Sequence, residues 1–193
     1  MNLPNILTVG RILITPLFII LLFYDHPYAK SWALFIFVTA MLTDIFDGYY
    51  ARKYNLVTDY GRFLDPLADK VMVLSALISF AVMDVIPFWM VSLIIFRDVF
   101  VTGLRMAMSS KNETMVTSKI AKRKTLSQVL IIIFILFNIG LSSLSISWIG
   151  EIIIFSKQYD LIYYFTFLVT VFTVFTGFTY LYSNRSVIKQ FIS

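Results

Sequence analysis

Cysteine is absent from the chain, which excludes disulfides, thiolate nucleophiles and thiolate metal sites. A single histidine, His26, sits in a short polar stretch between two apolar ones, so a histidine-dependent nucleophilic mechanism is not expected. Charge is scarce as well. Only 14% of residues are Asp, Glu, Lys or Arg, against about 25% in soluble domains. No internal repeat, low-complexity tract or soluble domain is visible. The N-terminus has neither the early basic segment nor the small-residue cleavage site of a secretory signal. The first apolar stretch is therefore expected to remain as a span.

What the chain has instead is apolar length. Hydrophobic residues make up 59% of it, and the mean hydropathy is +0.84. About 20 apolar residues cross the hydrocarbon of a bilayer. On that measure six helical spans are expected, at residues 6–24, 31–50, 63–83, 86–108, 125–145 and 161–182. The expected fold is all-α: a polytopic membrane protein with residues 1–193 as one membrane-embedded domain. Lys and Arg set the orientation. Arg52, Lys53, Arg62, Arg105, Lys111, Lys119, Lys122, Arg123, Lys124, Arg185 and Lys189 fall in one set of connections, Lys30 and Lys157 in the other. The first set, and with it both termini, is expected to face the cytoplasm. The net charge of +5 fits topology and contact with anionic lipid or phosphate better than nucleic-acid binding.

Against this background four carboxylates stand out: Asp44, Asp47, Asp65 and Asp69. An acid within a bilayer costs about 2.5–3.5 kcal/mol on insertion scales, which makes intramembrane acids candidates for function. Asp44, Asp47, Gly48 and Ala51 are spaced to share one helix face, as are Gly61, Asp65 and Asp69 on the next helix. The short polar link between the helices makes them expected antiparallel neighbours with converging acidic faces. Four close carboxylates repel one another unless a cation is present. An all-oxygen donor set favours Mg²⁺ or Mn²⁺, with Ca²⁺ as a competitor. Two such ions about 3.5–4 Å apart suit in-line phosphoryl displacement. Gly48, Ala51 and Gly61 on the same faces leave clearance for a ligand, or else serve close helix packing. Structural ion pairing with Arg52, Arg62 or Lys70 is the alternative for the acids, but four exceed what pairing needs.

The pattern Asp-x-x-Asp-Gly-x-x-Ala-Arg, eight residues, then Gly-x-x-x-Asp-x-x-x-Asp resembles the signature of the CDP-alcohol phosphotransferases. Asp44, Asp47, Gly48, Ala51, Arg52, Gly61, Asp65 and Asp69 fill every fixed position. Residues 2–12, 58–70, Phe96-Arg97-Asp98, Thr102-Gly103-Leu104-Arg105 and Ala121-Lys122-Arg123-Lys124-Thr125 look similar to the phosphatidylglycerophosphate synthase branch of that family. Ala121 departs from the glycine usual there. The resemblance covers roughly the first two-thirds of the chain. It implies six spans, a homodimer in the bacterial cytoplasmic membrane, and two divalent ions held by Asp44, Asp47, Asp65 and Asp69. Asp69 is implied as the general base. It also implies CDP-diacylglycerol as donor, sn-glycerol 3-phosphate as acceptor, and CMP as leaving group. Nucleotide contacts are implied for Asn5, Thr8, Asp44, Gly48, Ala51, Arg52, Gly61 and Asp65.

Arg97 and Arg105 lie eight residues apart on the fourth span and can share a face. With Lys119, Lys122 and Lys124 they are candidates for the acceptor phosphate. Arg97 stands equally open to neutralisation by Asp98 or the aspartate cluster, and Lys111 and Arg123 are expected to serve topology. Other acceptors (inositol phosphate, serine, phosphatidylglycerol) keep the same chemistry. A divalent-cation transporter is the reading from another class. It is disfavoured because the acids gather near one membrane face rather than along a path.

Overall fold

A computed structural model describes the backbone of residues 3–53, 59–109, 119–143, 146–185 and 188. It describes the side chains of residues 10–43, 70–106, 108, 123–142, 146–185 and 188. The described residues form helices joined by short turns, with no strand among them. In chain order they form α1 (Leu3–Phe23), α2 (Ala29–Lys53), α3 (Asp59–Val82), α4 (Phe88–Ser109), α5 (Lys119–Gly140), a 3₁₀ turn (Leu141–Ser143), α6 (Ser147–Gln158) and α7 (Leu161–Ser183).

The chain divides into two compact units. Met1–Phe80 with Ile132–Asp160 form the first. In it α1 and α2 pack against each other. They are joined by a tight connection in which the amides of His26 and Ala29 donate to the carbonyls of Tyr24 and His26, each at 3.0 Å. The short reversal makes the pair antiparallel, and Phe18 meets Phe37 at its centre with ring centroids 5.7 Å apart. His26 Nδ1 accepts the Tyr28 amide at 3.3 Å, so the one histidine is a turn residue, as its polar surroundings predict. Ser31 Oγ donates to the Gly140 carbonyl at 2.6 Å, tying the start of α2 to the end of α5. A β-carbon on Gly140 would stand 2.9 Å from the Lys30 carbonyl oxygen. Glycine is therefore required for that approach, and α5 ends there.

Ala81–Ile131 with Leu161–Ser193 form the second unit, in which α4 packs on α7. Trp89 meets Phe167, Arg97 lies against Gly177 and Arg105 reaches Tyr180. The partners ascend together along both helices, so α4 and α7 run parallel. The pattern on α7 is inverted relative to a soluble helix. Thr166, Thr170, Thr173, Thr176, Gly177 and Tyr180 are buried, while Phe167, Leu168, Val171, Phe175, Phe178 and Tyr182 are exposed. Water-soluble proteins place side chains the other way round.

Among the described residues two segments, residues 123–140 in α5 and Leu161–Ser183, are long and apolar enough to cross a membrane by length and composition. Three elements depart most from the expected spans. Helix α3 starts at Asp59, four residues before the expected span, with an acid at the helix's positive end. Gly61 is thereby brought inside the helix. Helix α5 begins with the basic run Lys119–Lys124 rather than at 125. Helix α6 occupies what the hydropathy pattern leaves as a connection. Its Ile149, Ile153 and Ser156 are buried on one face, and its 12 residues are too few to register in a search for spans of about 20.

Candidate functional site

All eight fixed positions of the signature lie on helices. Asp44, Asp47, Gly48, Ala51 and Arg52 fall in the last three turns of α2, and Gly61, Asp65 and Asp69 in the first half of α3. Asn5 and Thr8 fall in the first two turns of α1. The side chains of all these residues, with those of Lys119 and Lys122 on α5, lie outside the described residues, as does the link 54–58. Lys111 is outside them too. Among the described residues no group of three or more His, Cys, Asp or Glu side chains is placed to hold a metal.

The helical backbone nevertheless fixes periodicity. At 3.6 residues per turn, Asp44 and Asp47 lie on one face of α2, and Asp65 and Asp69 on one face of α3. Carboxylates without imidazole or thiolate form a donor set suited to hard divalent cations. Both pairs belong to the first unit.

The basic candidates on α4 and α5 belong to the second unit. Asp98 is 2% exposed. Its carboxylate accepts from Arg97 Nη1 at 3.1 Å, from Lys124 Nζ on both oxygens and from Gln128 Nε2 at 3.3 Å. Lys124 and Gln128 are one turn apart on α5 and are themselves buried. A carboxylate out of water is tolerated only when paired and hydrogen-bonded, and removing one partner of such a pair costs about 3–5 kcal/mol. Arg97 thus pairs with its neighbour, sharing that carboxylate with Lys124. Its Nε is buried and has no hydrogen-bond partner.

Two turns along α4, Arg105 is exposed. Its Nε donates a long hydrogen bond, 3.5 Å, to the Tyr180 hydroxyl, and its guanidinium carbon lies 5.6 Å from that ring's centroid. Arg97 and Arg105 both meet α7, so the shared face expected from their spacing is present. Gly177 makes room for Arg97: a β-carbon there would stand 2.9 Å from Arg97 Cγ and 3.4 Å from Nε.

Sequence inspection passed over Gln128, Gly177 and Tyr180. Gln128 had a signal, one turn beyond Lys124 on an apolar helix. The polar and small residues recurring every three or four positions from Thr166 to Tyr180 were the signal for α7. Arg11 falls within the segment 2–12. It is 4% exposed on α1, one turn before Thr15, whose hydroxyl donates to the Arg11 carbonyl at 2.8 Å.

Comparison with known proteins adds the following. The family model described as CDP-alcohol phosphatidyltransferase matches residues 1–175. A Rickettsia typhi protein named CDP-diacylglycerol–glycerol-3-phosphate 3-phosphatidyltransferase is 35% identical over 180 residues, covering 93% of this chain and 94% of its own. A Bacillus subtilis protein of the same name is 40% identical over 149 residues, covering 71% of this chain and 77% of its own. A Mycobacterium tuberculosis protein named probable phosphatidylglycerophosphate synthase is 45% identical over 109 residues, covering 55% and 52%.

Proposed function

This chain belongs to the CDP-alcohol phosphatidyltransferase family, and we propose that it transfers the phosphatidyl group of CDP-diacylglycerol to sn-glycerol 3-phosphate, giving phosphatidylglycerophosphate and CMP. The observation that carries this is the span of the match. It runs over residues 1–175 and so contains all eight fixed positions, and relatives named for this reaction align over 93% of the chain.

The donor side rests on the first unit. Ten residues back from Phe18 is Thr8, and ten on from Phe37 is Asp47. Equal rise along two antiparallel helices, about 15 Å in each, brings the first turns of α1 level with the acidic turns of α2. Asn5 and Thr8 are thereby candidates to contact the cytidine nucleotide together with Gly48, Ala51, Arg52 and Gly61. Asp44, Asp47, Asp65 and Asp69 would hold two divalent ions, Mg²⁺ or Mn²⁺. Bound there, divalent charge offsets the diphosphate's negative charge and its growth on the departing CMP oxygen. The acceptor hydroxyl oxygen forms a bond to the phosphorus that carries diacylglycerol. The bond from that phosphorus to the oxygen of CMP breaks, and the Asp69 carboxylate takes the hydroxyl proton.

The acceptor's own phosphate is assigned to Arg97, Arg105, Lys119, Lys122 and Lys124. Arg105 is exposed and carries donors beyond the one shared with Tyr180. Gly177→Ala probes this assignment from α7, because the added methyl displaces the Arg97 stem. The Michaelis constant for sn-glycerol 3-phosphate is expected to rise about fivefold, in the range overpacking costs, with that for CDP-diacylglycerol unchanged.

Placement in the bilayer follows from lengths and patterning. Six helices have 21 to 25 residues, enough to span, while α6 is too short. Parallel α4 and α7 require an odd number of crossings between them, which α5 alone supplies. The inverted pattern of α7 fits a helix with lipid outside and polar contacts inside. The proposed enzyme is one catalytic domain of residues 1–193, a homodimer in the bacterial cytoplasmic membrane with termini and active site on the cytoplasmic side. An acceptor panel tests the substrate. sn-Glycerol 3-phosphate is expected to exceed inositol phosphate, serine and phosphatidylglycerol in kcat/KM by at least about tenfold, the discrimination one charged contact provides. Preference for another acceptor would overturn the choice and leave the reaction class intact.

A further inference from the structure

We propose that Asp98 is a positioning residue for the acceptor, holding Lys124 and Arg97 in the arrangement that grips its phosphate. The inference rests on the acceptor assignment above and adds to it a carboxylate that touches no substrate. Three features of the cluster carry it. Asp98 is buried on α4 and accepts from three side chains on two helices: Arg97 on its own helix, Lys124 and Gln128 on α5. Lys124 spans both carboxylate oxygens, so its ammonium is fixed in position rather than swinging on a four-carbon stem. Finally, Arg97 has a donor to spare: Nη1 is taken by Asp98, but Nε is buried without a partner. Gly177 holds the stem of that arginine by leaving it space. The chemistry selected is a small phosphate monoester, recognised through a cationic pair whose geometry a buried acid sets.

The test uses the full-length purified protein in mixed micelles, with CDP-diacylglycerol as donor and sn-glycerol 3-phosphate varied. Asp98→Asn keeps the shape and removes the charge. It is expected to raise the Michaelis constant for sn-glycerol 3-phosphate about tenfold to hundredfold, with that for CDP-diacylglycerol within about twofold of the parent. Because Asp98 acts through Lys124 and Arg97, the double variant Asp98→Asn/Lys124→Met should lose clearly less than the two single losses combined. A parental acceptor constant in Asp98→Asn, an equal rise for both substrates, or additive losses in the double variant would each overturn the inference. If Asp98→Asn does not fold, Gln128→Leu takes its place. That variant removes one donor from the carboxylate and is expected to raise the acceptor constant about threefold, and no change would overturn the proposal. The underlying assignment fails separately, if Lys124→Met keeps a parental acceptor constant. A rise in Lys124→Met without one in Asp98→Asn sinks the positioning role alone.

Discussion

Asp69→Asn is expected to lower turnover by about a thousandfold or more, with the protein still folded and still binding CDP-diacylglycerol. Asparagine has the same shape on the same turn of α3, so helix packing is retained. What it lacks is the ability to take a proton. General-base catalysis contributes about 10²–10⁴ in rate, and the amide is also a poorer ligand for a divalent cation than the carboxylate it replaces. Both losses fall on turnover. Steady-state kinetics on purified protein with saturating Mg²⁺ or Mn²⁺ measure it, with a thermal melt confirming the fold. Turnover within about tenfold of the parent would remove Asp69 from the role of base and direct attention to the remaining three acids.

Removal of divalent cations is expected to have an effect at least as large. Four carboxylates brought together by one signature would repel with nothing between them, the more so in a low-dielectric setting. Dialysis against chelator should abolish CMP release, and Mg²⁺ or Mn²⁺ should restore it. Since a ligand that binds only the native state stabilises it, the melting temperature should fall in chelator and recover with the same ions. Asp44→Asn or Asp65→Asn should raise the concentration of cation needed for half-maximal activity. Full activity in chelator would show that the acids serve ion pairing with Arg52, Arg62 or Lys70 instead.

These two expectations rest on the sequence pattern, since the side chains of the four acids lie outside the described residues. Acids at helical spacing in an apolar chain announce themselves, because a bilayer penalises them unless they are used. Helix positions were legible for a similar reason. Runs of apolar residues near 20 long locate α1, α2, α4 and α7 to within a few residues. Helix ends were less so. The start of α3 at Asp59 depends on helix-end electrostatics, and the end of α5 on the approach of the Lys30 carbonyl to Gly140; neither is a matter of hydropathy. Helix α6 was invisible because it is short and only one face is buried. The Asp98 cluster illustrates the remaining limit. Phe96-Arg97-Asp98 and Lys124 were both noticed in sequence, but the charge network joining them is set by α4 and α5, which no local pattern reports. Recognition of Tyr180 by Arg105 spans 75 positions and has no trace in either neighbourhood.

The most direct measurement of the central proposal is product stoichiometry. Purified protein is incubated with CDP-diacylglycerol and radiolabelled sn-glycerol 3-phosphate, and CMP and labelled lipid are quantified together. The expected result is equimolar CMP and phosphatidylglycerophosphate, with neither formed when sn-glycerol 3-phosphate is omitted. CMP released at the same rate without that acceptor, or no label entering lipid, would contradict it.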